Sequence, residues 1–168
     1  MEQKISDLPI LNITAGQVLE DLEDVSFSVS PETSVHDALQ LMLERQKGAI
    51  LIMEQGEVRG IWTERDLMRD TVSENFDPKT AKIADHMSTE LHYASSEDSI
   101  MVLMDKYLGL RIRHLLIKKD GQFAGFLSAA DVIRAALTQR TKQLEELKTM
   151  VSWEFYEDWR WRKRKGGQ

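Results

Sequence analysis

The chain has 168 residues, of which 42% are hydrophobic and 30% are charged, and its formal net charge is −6. That length allows one compact domain or two small domains that share a core. The negative charge gives no reason to expect that the whole protein is attracted to nucleic acid or to an anionic membrane. The absence of cysteine excludes disulfides, thiolate metal sites and a cysteine nucleophile.

The N-terminal sequence MEQKISDLPILNITAG lacks the basic segment and the following apolar run of a signal peptide. No apolar stretch approaches the roughly 20 residues that a membrane-spanning helix requires. Together with the lack of cysteine, these features predict a cytoplasmic protein.

The first predicted elements follow one another between Ile13 and Asp70. A short helix in ITAGQVLEDL and an initial strand in VSFSVSP come before a longer helix. That helix begins after Ser34, where apolar side chains recur three and four residues apart. Two short strands, AILIM and VRGIW, are joined by the four turn residues EQGE. Thr63 then begins another helix, which continues through ERDLMRD.

A second set of elements repeats the first at a distance of 65 residues. Shifting the chain by 65 aligns Val18–Asp70 with Ile83–Ala135 without a gap. Ten of the 53 pairs are identical, whereas chance would give about three. The corresponding elements are a short helix in KTAKIADHM, an initial strand in LHYASS, a helix after Ser99, the strands HLLIK and FAGFL with the turn KDGQ, and a helix from Ser128 through AADVIRAAL.

Each unit therefore has the order β-α-β-β-α, which predicts a fold of the α/β (α+β) class. One such unit has too little core to be stable alone, so we expect two units related by a pseudo-twofold axis and packed sheet to sheet. We assign residues 13–70 to repeat 1, the polar residues 71–80 to a linker, residues 81–137 to repeat 2, and residues 138–168 to a C-terminal helix with an aromatic and basic tail.

The repeated unit resembles the cystathionine-β-synthase (CBS) domain. The resemblance rests on DGQFAGFLSAAD, on RHLLI and on KIADHMS, and it extends over about residues 13–137. Repeat 1 is less typical, because its lead-in lacks Met-Thr. A tandem pair of such units resembles the Bateman module. This resemblance implies a regulatory module that binds an adenine nucleotide (AMP, ADP, ATP or S-adenosylmethionine, with AMP or ATP expected first) in clefts between the repeats.

The resemblance also implies roles for six side chains. Contact with ribose hydroxyls is assigned to Asp66 and Asp131, and contact with phosphate to Thr63, Ser128, Arg113 and His114. Elementary chemistry agrees in part, because a helix N-terminus favours phosphate and a carboxylate can accept two hydrogen bonds from a vicinal diol. The alternative is that Thr63-x-x-Asp66 and Ser128-x-x-Asp131 are capping boxes that only fix the helix starts. The two roles are compatible.

The repeats differ in charge just before the strand that follows their long helix. Repeat 2 has Arg111, Arg113 and His114 there, whereas repeat 1 has Gln46, Gly48 and Ala49. A guanidinium suits bidentate contact with phosphate, so we expect one end of the pair to bind phosphate better than the other. The alternative is that Arg111 and Arg113 are solvated surface charges.

No constellation for catalysis or metal binding is found in the sequence. The histidines lack a metal-ligand spacing such as H-E-x-x-H, no Gly-rich phosphate loop occurs, and no nucleophile, base and acid are suggested together. We therefore expect no enzymatic activity, no catalytic cofactor and no metal.

Residues 138–168 extend beyond the repeats. The segment VIRAALTQRTKQLEELKTMVSW has no Pro or Gly and predicts one long helix. Its approximate heptad stripe suggests packing against another helix, in a homodimer or in an unidentified protein partner. The following WEFYEDWRWRKRKGGQ interleaves aromatic and basic residues, which suits nucleic acid, an acidic partner or a membrane interface. The alternative is that its aromatics dock on the protein itself and its basic end keeps the tail in solution.

The sequence as a whole predicts a stand-alone regulatory module that senses an adenine nucleotide between its repeats and forms a homodimer. The first alternative is a structural dimerisation module without ligand. The second is a binder of nucleic acid or of a protein partner through the C-terminal tail. A membrane is not an expected partner, and nucleic acid is a less favoured one.

Overall fold

The computed structural model describes residues 13–141 and residue 145. Repeat 1 contains helix α1 (Ala15–Glu20), strand β1 (Ser28–Val29), helix α2 (Val35–Glu44), strands β2 (Ala49–Glu54) and β3 (Glu57–Thr63), and helix α3 (Glu64–Asp70). Repeat 2 contains a 3-10 helix (Ile83–Asp85), strand β4 (Tyr93–Ser95), helix α4 (Ile100–Leu110), strands β5 (His114–Lys119) and β6 (Gln122–Ser128), and helix α5 (residues 129–141). None of the described helices combines the length and the apolar character needed to cross a membrane.

Each repeat forms its own three-stranded sheet. β1 runs parallel to β2 and β2 runs antiparallel to β3, and β4, β5 and β6 are arranged in the same way. The pairing register is also the same, since Ile52 lies opposite Gly60 and Ile117 lies opposite Gly125. The predicted β-α-β-β-α order and the mixed α+β class are thereby confirmed, although the initial strands are shorter than VSFSVSP and LHYASS suggest.

The two long helices begin where the sequence predicts. The Ser34 hydroxyl accepts a hydrogen bond from the Asp37 amide at 3.0 Å, and the Ser99 hydroxyl accepts one from the Val102 amide at 3.4 Å. These bonds satisfy amides that the first helical turn would otherwise leave unpaired. The apolar faces of α2 and α4 are buried with the strands of their own repeats.

The hairpin turns have two residues rather than the four predicted. β2 and β3 stay paired up to the residues beside Gln55–Gly56, and β5 and β6 up to those beside Asp120–Gly121. All four turn residues have a positive φ, between 52° and 84°. This is the conformation of the tight hairpin turn whose twist matches that of the strands, and glycine at its second position avoids the strain of a side chain there.

The lead-in segments, residues 13–25 and 81–90, change places between the repeats. Ala15 and Val18 of α1 are buried in the core of repeat 2, and Ile83 is buried in the core of repeat 1. Each core is therefore completed by a segment that chain order assigns to the other repeat. The sequence does not predict this exchange, because two repeats with the same apolar pattern offer each lead-in segment two equivalent cores.

Main-chain hydrogen bonds hold both lead-in segments in place. The Ala15 amide donates to the Asp98 carbonyl at 2.8 Å, and the Ile83 amide donates to the Thr33 carbonyl at 2.9 Å. The segments differ in conformation: α1 is a helix with a complete capping box at Thr14, whereas the second segment forms only a single 3-10 turn. That turn does not begin at the predicted threonine, so this part of the helix prediction is wrong.

A glycine in each repeat gives the crossing segment room. At Gly125 φ is +156°, and a Cβ there would lie 2.9 Å from the Val25 Cβ. At the equivalent Gly60, a Cβ would lie 3.0 Å from the Ser88 carbonyl oxygen and would collide with the Met87 side chain. The glycine shared by GIWTERD and GFLSAAD is therefore required by the close approach of a lead-in segment to β3 and β6.

The two repeats pack against each other through their sheets. Leu116 and Phe126, from the sheet of repeat 2, are buried in the core cluster of repeat 1 together with Ile52 and Trp62. This contact confirms the predicted sheet-to-sheet packing.

The predicted C-terminal extension falls mostly outside the described residues. α5 continues past residue 137 to residue 141, and residue 145 is also helical. The rest of the predicted long helix, and the whole aromatic and basic tail from residue 153 onward, lie outside the described part of the chain.

Candidate functional site in the cleft between the repeats

A cleft of about 900 Å³ opens between the two repeats, a volume within the usual range of small-molecule sites. β3 runs directly into α3, β6 runs directly into α5, and both junctions line the cleft. Arg111, which ends α4 with a φ of 54°, is not among the lining residues. All six side chains predicted as ligand contacts do line it: Thr63, Asp66, Arg113, His114, Ser128 and Asp131.

In repeat 2, Ser128 and Asp131 close a complete capping box. The Ser128 amide and hydroxyl both donate to Asp131 Oδ2, at 2.9 and 2.6 Å, and the Asp131 amide donates back to the Ser128 hydroxyl oxygen at 3.2 Å. Asp131 Oδ1 lies 3.5 Å from the guanidinium of Arg134, whose side chain is 72% exposed. Capping therefore occupies one carboxylate oxygen and leaves the other in a long, solvent-screened ion pair.

In repeat 1, the carboxylate of Asp66 is held more tightly. The Thr63 amide and hydroxyl donate to Asp66 Oδ2 at 2.9 and 2.7 Å, and Asp66 Oδ1 lies 3.0 Å from the guanidinium of Arg69. The side chain of Asp66 is 12% exposed, compared with 22% for Asp131. Both carboxylate oxygens of Asp66 thus have close partners.

Arg69 belongs to a side-chain network that repeat 2 lacks. Its guanidinium also donates to the His86 carbonyl at 3.0 Å and lies 3.6 Å from Asp70 Oδ1. The buried Asp70 accepts a hydrogen bond from Trp62 Nε1 at 3.2 Å and lies 3.2 Å from His86 Nδ1. Repeat 2 has leucine and alanine in the places of Trp62 and Asp70. Those two replacements were the only sequence signal for the network, and sequence reasoning missed them.

Arg113 and Arg65 are two of the five lysine and arginine side chains that line the cleft in the described part of the chain. Arg113 is positioned just before β5, where its carbonyl accepts a hydrogen bond from the Ala129 amide at 2.9 Å. Arg65, in the first turn of α3, also lines the cleft. Sequence reasoning missed Arg65, although it stands between the cap residue and the aspartate where repeat 2 has alanine. Within residues 13–141 neither guanidinium has an ion-pair partner, so both can pair with an anion.

His114 is neutral at pH 7. Its pKa is lowered from 6.5 to about 4, first by burial and then by the charge of Arg113 and, more weakly, of Arg65, against the opposing charge of Asp131. Its ring centroid lies 6.1 Å from that of Phe126. The imidazole therefore offers a ligand one N–H donor rather than a positive charge.

The repeat 1 end of the cleft has a carboxylate where the repeat 2 end has a guanidinium. Gly48 stands in the place of Arg113, and Glu64 in the place of Ala129. A Cβ on Gly48 would lie 3.4 Å from the Glu64 carboxylate carbon, and the Glu64 amide donates to the Gly48 carbonyl at 3.1 Å. At these matched positions the two ends therefore differ in the sign of their charge.

The groups that line the cleft are those of a binding site. Carboxylates can accept hydrogen bonds from hydroxyls, guanidiniums can donate to an anion, and apolar side chains such as Leu116 and Phe126 provide a surface for a flat ring. Among residues 13–141, no group of three histidine, aspartate or glutamate side chains is arranged to hold a metal ion.

Comparison with known proteins agrees with this architecture. The family model described as the CBS domain matches residues 19–72 and 83–138. The mitochondrial CBS domain-containing protein CBSX3 of Arabidopsis thaliana is 30% identical over 125 residues, which are 71% of this chain and 61% of that protein. The chain thus spans less than two thirds of this relative's length.

Solved structures share the fold. The crystal structure of the CBS domain NE2398 has a TM-score of 0.68 and 27% identity, with 74% of this chain and 97% of that chain covered. The crystal structure of CBSX2 in complex with AMP has a TM-score of 0.62 and 22% identity, with 76% and 98% covered, and at this identity the likeness concerns the fold alone. Because the family model matches more than half of the chain in two copies, this protein belongs to the CBS-domain family and carries two CBS domains.

Proposed function

We propose that this chain is a regulatory module without catalytic activity, and that it binds an adenine nucleotide, AMP or ATP, in the cleft between its repeats. One observation carries the proposal: side chains suited to ribose and to phosphate, far apart in the sequence, all line a single cleft. Pairs of CBS domains generally serve as regulatory modules, and the related structure CBSX2 is a complex with AMP.

The repeat 2 end of the cleft offers a complete set of contacts for such a ligand. Asp131 Oδ1 accepts the hydrogen bonds of the ribose diol. Ala130 offers its main-chain amide, in the first turn of α5, to phosphate, and the Ser128 hydroxyl joins it by turning its proton away from Asp131 Oδ2. Arg113 adds a bidentate donor, and the neutral His114 donates one further hydrogen bond. The equivalent contacts at the repeat 1 end are Thr63 and Asp66.

Ligand binding would bias the packing of the repeats and the position of α5. Residues of both repeats line the cleft, so a ligand that fills it gains its full binding energy only when the cleft has one particular width. α5 begins at the proposed phosphate contact and leads towards the C-terminal extension. A partner that binds this helix could therefore distinguish the ligand-bound protein from the ligand-free protein by the position of α5. A homodimer and a cytoplasmic location belong to the same proposal. The dimer rests on exposed apolar side chains of the helices, and the location on the absence of cysteine.

Ligand-dependent melting and calorimetry of the full chain test the proposal. The panel contains AMP, ADP, ATP and S-adenosylmethionine, with adenosine as the control that lacks phosphate. At 100 times the Kd, a ligand raises the free energy of unfolding by about 2.7 kcal/mol, which raises Tm by about 5–10 °C for a chain of this size. If no member of the panel changes Tm or binds in calorimetry, the proposal is wrong. Nucleotide turnover by highly purified protein, abolished in Asp131→Ala, would contradict the absence of catalysis.

A structural module without ligand is the second candidate. It is favoured by the observation that Asp66 and Asp131 already have hydrogen-bond partners at their own helix starts. In that case Asp131→Ala lowers Tm by loss of the cap alone, and no nucleotide changes Tm. Salt-sensitive retention on an oligonucleotide column, lost on removal of residues 153–168, would instead identify a nucleic-acid binder.

A further inference from the structure

We infer that the cleft binds one nucleotide per chain, with its phosphate at the repeat 2 end, and that Glu64 and Arg69 close the repeat 1 end to a second one. The inference rests on the proposed function and deepens it, because it assigns the orientation and the number of ligands. Two independent observations carry it: the charge at each end of the cleft, and the engagement of each aspartate.

The charge at the repeat 1 end opposes phosphate. Glu64 lines the cleft there, where repeat 2 has an alanine, and Gly48 leaves no cation in the place of Arg113. Arg65 lines the cleft as well, but its counterpart in repeat 2 is Ala130, so it does not restore a cation in the place of Arg113. At these matched positions a phosphate at the repeat 1 end would therefore face the Glu64 carboxylate, whereas a phosphate at the repeat 2 end would face the Arg113 guanidinium.

Two other cations line the cleft on the repeat 1 side, but neither takes the place of Arg113. Lys47 stands one residue before the bend at Gly48, so its counterpart in repeat 2 is Ile112 and not Arg113. Arg45 is paired with Asp24 at 3.7 Å. The difference in charge at the matched positions therefore stands.

The aspartate at the repeat 1 end is already engaged. Asp66 Oδ1 lies 3.0 Å from Arg69, and Arg69 is fixed in turn by the His86 carbonyl at 3.0 Å. Asp131 Oδ1 lies 3.5 Å from the exposed Arg134, which has no second partner within residues 13–141. Freeing Asp131 for a ribose breaks one long, screened ion pair, whereas freeing Asp66 breaks a connected network.

Titration calorimetry of the full chain with AMP tests the inference. The wild type is expected to bind one AMP per chain. Asp131→Asn is expected to weaken AMP binding by roughly tenfold or more, the usual effect of losing hydrogen bonds to a charged group. Asp66→Asn is expected to lower Tm but to change AMP affinity by less than about twofold, because its partners are protein groups.

A matched pair of substitutions at Ala129 isolates the effect of charge. Ala129→Glu builds the repeat 1 carboxylate into the repeat 2 end, and Ala129→Gln has nearly the same shape without the charge. The glutamate variant is expected to bind AMP roughly tenfold more weakly than the glutamine variant at low salt, with the difference shrinking as salt is added. Both variants are expected to bind adenosine equally, since adenosine has no phosphate.

Three outcomes would each overturn the inference and leave the proposed function standing: two AMP per chain, equal losses of affinity in Asp66→Asn and Asp131→Asn, or equal AMP affinity in the two Ala129 variants. If Asp66→Asn fails to fold, the stoichiometry and the Ala129 pair decide alone. No saturable nucleotide binding by the wild type would remove the proposed function and this inference with it.

Discussion

His114 lies where the sheet of repeat 2 meets the charges of the candidate site. Burial and the nearby guanidiniums of Arg113 and Arg65 favour its neutral form, while Asp131 favours the charged form. The balance leaves its pKa at about 4 in the folded chain, against 6.5 for an ordinary histidine. Protonation of this single side chain is therefore coupled to unfolding.

We expect acid to destabilise the fold through His114. Below pH 6.5 the unfolded chain binds a proton at His114, whereas the folded chain does so only near pH 4, so the free energy of unfolding falls as pH decreases through this window. The complete effect is about 3 kcal/mol. Urea denaturation at pH 7 and pH 4.5 measures it, with His114→Asn as the comparison. The wild type should lose more stability than the variant, and equal losses would show that another group titrates.

Among the helices and strands, the repeated apolar pattern predicts nearly every element but not the path of the lead-in segments. Apolar stripes predict α2 and α4, and short apolar runs beside glycine turns predict the hairpins, because both patterns follow from local geometry. The lead-in segments choose between two cores with matching apolar faces, and no local pattern distinguishes these cores. The contacts of Arg69 and Asp70 with His86 depend on the same choice, since His86 belongs to a lead-in segment.

The candidate site, too, has features that the sequence predicts and features that it does not. The cap residue and the aspartate three positions later can be predicted, because that spacing fixes them on one turn of a helix. That Arg65 and His114 line one cleft could not be predicted, because it depends on how the two repeats face each other. Glu64 and Gly48 can both be read from the sequence. That the Glu64 carboxylate lies at the position matching Arg113 follows only from the closeness of Glu64 and Gly48 in the structure.

We expect the crossing of a lead-in segment over β6 to make Gly125 sensitive to substitution. Gly125→Ala should lower the free energy of unfolding by at least about 2 kcal/mol, through backbone strain and contact with Val25. Gly109→Ala is the matched control, because Gly109 lies in α4 with open space around it. This control should raise stability by up to about 1 kcal/mol through helix propensity. Denaturation curves that show no loss at Gly125 would contradict the close approach.

The whole molecule exposes apolar side chains at matching positions of its two repeats. Leu43 and Leu108 are exposed on α2 and α4, and Met68 and Ile133 on α3 and α5. On α5, Leu137 is also exposed, and with Ile133 it begins the apolar stripe predicted for the C-terminal extension. Exposed apolar residues that recur with the symmetry of the repeats favour a symmetric partner surface.

We expect a homodimer joined through α3 and α5. Light scattering should give about twice the chain mass of 19.4 kDa. Combining Met68→Glu with Ile133→Glu should give a monomer, because carboxylates are costly to bury in an apolar interface. Combining Leu43→Glu with Leu108→Glu is the control and should leave the dimer intact. A wild-type mass near 19.4 kDa at every concentration would exclude the dimer, and the reverse pattern would move the interface to α2 and α4.

The exchange of the lead-in segments also sets an order of events during synthesis. α1 leaves the ribosome before any other described element, yet its docking place consists of residues made much later, such as Leu115 and Leu127. Until those strands emerge, the apolar side of α1 has no native contact, so the growing chain must carry it uncovered through the synthesis of both repeats. The earliest of the described helices is thus among the last to reach its place in the core, and repeat 1 leaves the ribosome before the segment that completes its own core.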